Sequence, residues 1–162
     1  MPTDVLSLIP HMKVVYLDDS PIAASAHWDG RDWIIVVNAR QREPRRRHSL
    51  AHELKHVVDH TTRSFLYAGT PRMAPLEQAE RAADYFAGCL LMPFGWLRKA
   101  SADDCRTANE YAIRFAVPVG AAKKRLTQVG LAPENSRQLP LLPVDGWPPA
   151  RLDFETAIGA EA

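Results

Sequence analysis

The chain has few cysteines, which secreted proteins often contain, and no long apolar run, which membrane proteins need. It also has little net positive charge, which nucleic-acid-binding proteins usually carry. Its 162 residues include only two cysteines, Cys89 and Cys105, and neither has a partner at CxxC spacing. No apolar run approaches the ~20 residues of a membrane helix, and the N-terminus lacks the basic start and apolar stretch of a signal peptide. The formal net charge is only +1, which is not the strong positive charge expected of a nucleic-acid-binding protein. We therefore expect a cytoplasmic protein with reduced cysteines that binds neither membranes nor nucleic acid directly.

The residues that are present favour one compact domain with an appended tail. The chain is 46% hydrophobic, which is enough for a single core at this length. We expect a domain over residues 1–132, in which residues 101–131 form a helical hairpin with a helix-turn-helix-like pattern. Residues 131–162 hold five of the thirteen prolines, so we expect an extended tail over residues 133–162.

Apolar periodicity predicts an α+β fold in which a small sheet precedes the helices. A buried strand is predicted over 12–17, and two more over 23–38 around Asp29 and Gly30. Helices are predicted over 46–60, 76–93, 107–117 and 120–130. The sheet should therefore have about three strands.

The motif HELKH at residues 52–56 indicates hydrolytic metal chemistry. Residues four apart on a helix are separated by ~6 Å of rise and ~40° of rotation, so His52 and His56 point the same way and can bind one zinc ion. Glu53 lies ~100° from His52 around the helix, where its carboxylate can take a proton from a water that the metal activates. The string arises by chance on the order of once in a hundred sequences of this composition, so a third ligand is required.

Glu80 is the best third ligand that the sequence offers. Asp84 lies one helical turn further on, where it can accept a hydrogen bond from the far nitrogen of a ligating histidine. Glu77 lies on a similar face of the same helix and is the fallback ligand. His60 continues the histidine series along the first helix, but its ~12 Å of rise from His52 is too far for one ion.

These residues carry a family resemblance. AHELKHVVDH (51–60) followed by ERAADYFAGCLLMP (80–93) resembles the ImmA/IrrE family of metallopeptidases, in which an AHExxH helix is followed by an E-x-x-A-N/D-x-F-A…LLMP helix. The resemblance covers residues 33–93 well and implies a small zincin-like domain of the gluzincin type. Lys55 departs from the pattern, because the family usually has glycine there; we expect it at an exposed helix position.

The resemblance extends more loosely to residues 108–131, for which two interpretations exist. A DNA-reading helix-turn-helix is one of them. We favour a structural hairpin packed on the catalytic body, because Lys123, Lys124 and Arg125 are its only basic cluster.

The resemblance also implies roles for individual residues. Zinc would be bound by His52, His56 and Glu80, with Glu53 as the general base and Asp84 as the partner of a ligating histidine. Strand 33–38 would offer its edge to the substrate backbone. The donor that stabilises the transition state is not fixed by the pattern, and Tyr67 and His60 are both candidates.

The function that the resemblance implies is regulatory proteolysis. A zinc-dependent endopeptidase would cleave a helix-turn-helix repressor, a separate polypeptide, and so derepress genes of a stress response, a mobile element or a toxin-antitoxin-like system. A His, His, Glu site also suits manganese or iron. Two alternatives stay open: a metal-stabilised module that binds a repressor or antitoxin without cutting it, and a general scavenging peptidase.

Overall fold

The computed structural model describes residues 3–131, which begin with a three-stranded sheet. The strands are β1 (Met12–Leu17), β2 (Ala24–Trp28) and β3 (Trp33–Asn38). β3 lies in the centre, parallel to β1 and antiparallel to β2. The positive φ of Gly30 (100°) helps the chain to turn between β2 and β3. The predicted strands are confirmed, whereas the predicted tail over 133–162 lies outside the described residues.

The central place of β3 corrects one expectation from the sequence. We expect strand 33–38 to offer its edge to a substrate, but both of its sides are already paired. The N–H of Trp33 donates to the carbonyl of His11 at 2.8 Å, and the N–H of Asn38 donates to that of Ala23 at 3.0 Å. Alternate residues of β3 therefore bond to β1 and to β2. The expectation is wrong, because the outer edges of the sheet belong to β1 and β2.

Six α-helices follow the sheet within the described residues, with a short 3-10 helix (His60–Thr62) between the first two. They are α1 (Glu43–Asp59), α2 (Arg63–Leu66), α3 (Pro75–Leu91), α4 (Phe94–Ala102), α5 (Ala108–Phe115) and α6 (Val119–Gln128). Prolines lie in the first turns of α1 and α3, where a missing N–H costs nothing. Pro44 thus lets α1 begin before the predicted start at 46. Within residues 3–131, none of these helices combines the length and hydropathy needed to cross a bilayer.

The sequence patterns predict neither α2 nor α4. α2 is a single turn of four residues. α4 starts directly after Pro93, so the proline that ends α3 also precedes the next helix. Its buried residues, Leu97 and Ala100, are both fully covered by the helical core. A helix this short is stabilised by tertiary packing rather than by its own pattern.

α1 lies between the sheet and the remaining helices. One cluster of buried residues packs the sheet on α1: Leu6, Met12, Ile35, Val37, Leu50 and Leu54. A second cluster joins α1 to the helices that follow α2: Ala51, Ala87, Leu91, Met92, Leu97, Ala100, Ala108, Tyr111, Ala112, Val117, Ala122 and Leu126. The neighbours Leu50 and Ala51 therefore face opposite layers. Close packing on both sides fixes the helix that carries HELKH.

A candidate metal centre

α1 and α3 bring three potential metal ligands to one point. The Nε2 atoms of His52 and His56 lie 3.1 Å apart. One carboxylate oxygen of Glu80 lies 3.1 Å from Nε2 of His52, and the other lies 3.3 Å from Nε2 of His56. The three residues that we expect to bind zinc thus form one group, whose ligand atoms all lie within 4.8 Å of one another.

The spacing of these donor atoms suits a tetrahedral ion. Donors at the ~2.0–2.1 Å that zinc prefers are about 3.3 Å apart along a tetrahedral edge. The two histidine nitrogens are 3.1 Å apart, and each lies 3.1 or 3.3 Å from a different oxygen of Glu80. Two imidazoles and one carboxylate leave a fourth position open, as in catalytic zinc sites. The histidine side chains are 17% and 19% exposed, against 51% for Glu80. The group is therefore accessible from the side of Glu80.

Asp84, one turn after Glu80, holds the ring of His52. Its Oδ1 lies 3.1 Å from Nδ1 of His52, and its Oδ2 accepts a hydrogen bond from Nζ of Lys124 at 2.9 Å. These hydrogen bonds keep the pKa of Asp84 well below its usual range. An ionised carboxylate only accepts, so the Nδ1 of His52 donates to it. In the neutral form of the ring, the lone pair of Nε2 is then directed at the centre of the group.

The two histidines differ in their electrostatic surroundings. Burial lowers the pKa of His52, but the hydrogen bond to Asp84 and the charges of Asp84 and Glu80 outweigh burial and raise it above its ordinary value. Burial, followed by the proximity of His52, lowers the pKa of His56. His56 is therefore neutral at neutral pH, which is the form that binds metals.

Glu53 lies beside the metal-binding group and faces β2. Burial raises the pKa of its carboxyl group, the charge of His52 opposes this, and the charge of Glu80 adds to it. The backbone N–H of Ala26 donates a hydrogen bond to the carboxylate. A carboxylate with a raised pKa is a stronger general base. Glu53 therefore combines a position near the group with increased basicity.

The hydrogen bond from Ala26 shows which strand edge lies beside the site. The pairing of Ala23 with Asn38 makes the odd-numbered residues of β2 bond to β3. The N–H and C=O groups of Ala24, Ala26 and Trp28 consequently point away from β3, outward from the edge of the sheet. The outer edge of β2, rather than an edge of β3, lies beside Glu53.

Glu77, the fallback ligand, has another partner. Its Oε1 accepts a hydrogen bond from Nη2 of Arg81 at 2.7 Å, one turn along α3. Arg81 thus pairs with Glu77 and leaves Glu80 to the histidines. Glu80 is the carboxylate that the structure places within reach of both histidine rings.

Tyr67 and His60, the candidate transition-state donors, have contacts of other kinds. Tyr67 is 3% exposed and its hydroxyl donates to the buried carboxylate of Asp59. His60 is exposed, and its ring packs edge-on against Trp33 with the centroids 4.8 Å apart. These contacts favour a structural role for both residues.

Lys55 is not at an exposed position, so that expectation is wrong. Its side chain is 20% exposed, and Nζ donates to Oδ1 of Asp59 at 2.5 Å. The ammonium group also lies 5.9 Å from the centre of the Phe86 ring, since α3 covers this face of α1. The positive charge of Lys55 is therefore neutralised by Asp59.

Two contacts at the site were not expected from the sequence. Lys124 reaches Asp84 from 40 residues further along the chain, and Ala26 acts through its backbone. The run KKRL gives no reason to choose Lys124 over Lys123, and no side-chain motif marks a backbone donor. Both contacts depend on how the elements pack.

Comparison with known proteins agrees with this arrangement. Residues 10–127 match the Peptidase_M78 model, described as the IrrE N-terminal-like domain. The chain belongs to this family. Membership in Peptidase_M78 confirms the resemblance seen in the motifs and the small zincin-like α+β fold. The family is of zinc metallopeptidase type, with which the group of two histidines and one glutamate is compatible.

A solved structure shares the fold of this Peptidase_M78 chain. A Mycobacterium tuberculosis transcriptional regulator superposes with a TM-score of 0.63 at 19% sequence identity. The alignment covers 84% of this chain and 41% of the regulator, so this chain spans about two fifths of that protein. At this identity the likeness establishes the fold alone. A search of curated proteins found no significant match.

Proposed function

We propose that the chain is a zinc-dependent, site-specific endopeptidase that cleaves a helix-turn-helix transcriptional repressor and so derepresses genes. The observation that carries this proposal is the triangle of donor atoms formed by His52, His56 and Glu80, with the carboxylate of Glu53 beside it. A purely structural metal site needs no such base, because all of its coordination positions are filled by the protein.

Each residue of the site would have a separate role in peptide hydrolysis. His52, His56 and Glu80 would hold a zinc ion, which when bound would supply Lewis acidity to the attacking water and the scissile carbonyl. Glu53 accepts the proton of the attacking water and returns it to the leaving amine nitrogen. Asp84 keeps the ring of His52 in the tautomer and orientation that the metal requires.

The outer edge of β2 is the surface that would hold the substrate. An extended peptide can add as a strand to an exposed edge through main-chain hydrogen bonds. Ala24 and Trp28 offer outward N–H and C=O groups on either side of Ala26. Because Ala26 contacts Glu53, a peptide on this edge would lie beside the catalytic base.

A regulatory substrate is favoured by the family and by the kind of protein that shares the fold. The chain belongs to a family named for an IrrE-like domain, and the similar structure is that of a transcriptional regulator. These features support a specific protein substrate over a wide range of peptides.

Glu53→Gln tests cleavage without removing a metal ligand. We would express the native chain or the variant in the source cell under the inducing stress and compare all protein termini by mass spectrometry. We expect a new terminus inside one DNA-binding repressor with the native chain only. Equal zinc content of the two purified proteins is the control.

Two other results would contradict the proposal. Identical termini with both metal-loaded chains would favour the module that binds a repressor or antitoxin without cutting it. Many new termini in unrelated proteins would favour the scavenging peptidase.

A further inference from the structure

Lys124 connects the helical hairpin of α5 and α6 to the metal centre. Its Nζ donates to Oδ2 of Asp84 at 2.9 Å, while Oδ1 of the same carboxylate bonds to Nδ1 of His52 at 3.1 Å. We propose that Lys124 is a positioning residue of the metal centre: it fixes the orientation of Asp84, and through it the ring of His52, so that docking of the hairpin raises the affinity for zinc. This inference rests on the metal site proposed above.

The geometry of Asp84 explains why its second hydrogen bond, to Lys124, affects the orientation of the carboxylate. A carboxylate bonded through one oxygen can rotate about that bond, and Asp84 is 40% exposed, so water competes for it. Lys124 occupies the other oxygen and thereby fixes the plane of the carboxylate. An isolated ion pair at this exposure is worth little, but this one belongs to a hydrogen-bonded chain that ends at a metal ligand.

The hairpin is held against both metal-binding helices, which places Lys124 within reach. Nη1 of Arg47, on α1, donates to the carbonyls of Phe115 and Ala116 at 3.0 and 3.1 Å. Nε of the buried Arg125 donates to the carbonyl of Met92, directly after α3, at 3.3 Å. These contacts fix the position of α6 relative to α1 and α3, independently of Lys124.

Coupling of this kind is reciprocal. If the bond between Lys124 and Asp84 raises zinc affinity, then bound zinc must strengthen the docking of α6 by the same factor. The hairpin then acts as a part of the metal centre rather than as a separate appendage.

A double-mutant cycle separates this role from a general effect of charge. Zinc dissociation constants would be measured by competition with a chromogenic chelator for the full chain, Lys124→Met, Asp84→Ala and the double variant. Lys123→Met is the matched control, because it removes the same charge one residue away; within residues 3–131 the structure shows no ion pair for Lys123. Unfolding temperatures of the zinc-free proteins would be measured alongside.

We expect Asp84→Ala to weaken zinc binding by about 10- to 100-fold and Lys124→Met by about 3- to 10-fold. In the Asp84→Ala background, Lys124→Met should have an effect of less than about two-fold, because its contact is already gone. Lys123→Met should leave the affinity unchanged in both backgrounds.

Three results would overturn the role of Lys124. Zinc affinity that is equal in the native chain and Lys124→Met, with only a lower unfolding temperature, would show a role in stability alone. Tighter binding by Lys124→Met would show that the lysine merely repels the cation. Equal losses in both backgrounds would show that it does not act through Asp84. Failure of the native chain itself to bind zinc would instead refute the metal site.

Discussion

Asp59, at the end of α1, is a buried carboxylate with two side-chain partners. It is 5% exposed, and it accepts hydrogen bonds from Nζ of Lys55 and from the hydroxyl of Tyr67. A buried charge is tolerated only when such partners replace its hydration. Tyr67 directly follows α2, so this contact ties the connection between α1 and α3 to α1.

Tyr67→Phe tests whether Tyr67 is structural or a transition-state donor. Removing the hydroxyl leaves one oxygen of a buried carboxylate without that hydrogen bond, so we expect the free energy of unfolding to fall by about 1–3 kcal/mol. Zinc affinity and the cleavage seen with the native chain should persist in the folded variant. Urea unfolding measures the stability, and analysis of protein termini measures the cleavage.

Tyr16→Phe is the matched control, because Tyr16 is 46% exposed. This substitution should alter the free energy of unfolding by no more than about 0.5 kcal/mol. A stable, zinc-loaded Tyr67→Phe variant that no longer cuts would assign the hydroxyl to the transition state instead.

At this scale, local spacing and the family resemblance predicted four residues that lie together, including Asp84, but not the contacts made by Lys124 and Ala26. His52 and His56 share a helix face, and Glu80 and Asp84 repeat that spacing, so four positions followed from helix geometry and the family resemblance. Lys124 was missed because its bond to Asp84 depends on how α6 packs on α3.

At the scale of elements, the edge of β2 is the part of the sheet that faces the site. Proline is tolerated on an edge strand where the N–H points outward, as it does at Ala26. Ala26→Pro removes the backbone donor to Glu53 from this edge. We therefore expect a folded, zinc-binding protein that no longer produces the new terminus in its substrate.

Ala26→Ser is the control for this change, because it keeps the N–H and a small side chain at the same place. It should cleave like the native chain. Full cleavage by a folded Ala26→Pro variant would show that the hydrogen bond from Ala26 to Glu53 is not needed for cleavage. Circular dichroism and zinc titration establish that each variant is folded.

The strands were predictable from short apolar runs, and the long helices from apolar residues at helical spacing. The order of the strands was not, since the run WIIVVN (33–38) is equally apolar whether it lies at an edge or in the centre. α4 was missed because its nine residues are stabilised by the helical core around Leu97 and Ala100.

At the scale of the whole molecule, the group of donor atoms proposed to bind zinc forms only when the layers are assembled. The histidines lie on α1 between two hydrophobic clusters, and Glu80 lies on α3. The unfolded chain does not hold these donors together, so zinc should bind the folded state preferentially and stabilise it. Metal binding is therefore the property that most directly reports the correct assembly of the site.

Zinc titration of the native chain and of two matched glutamine variants tests this claim most directly. We expect one zinc per chain in the native protein, affinity reduced by at least about 10-fold in Glu80→Gln, and native affinity in Glu77→Gln. Both changes remove one negative charge from the same exposed face of α3, but only Glu80 contacts the histidines. Native affinity in Glu80→Gln, or loss of zinc in Glu77→Gln, would contradict the proposed metal centre.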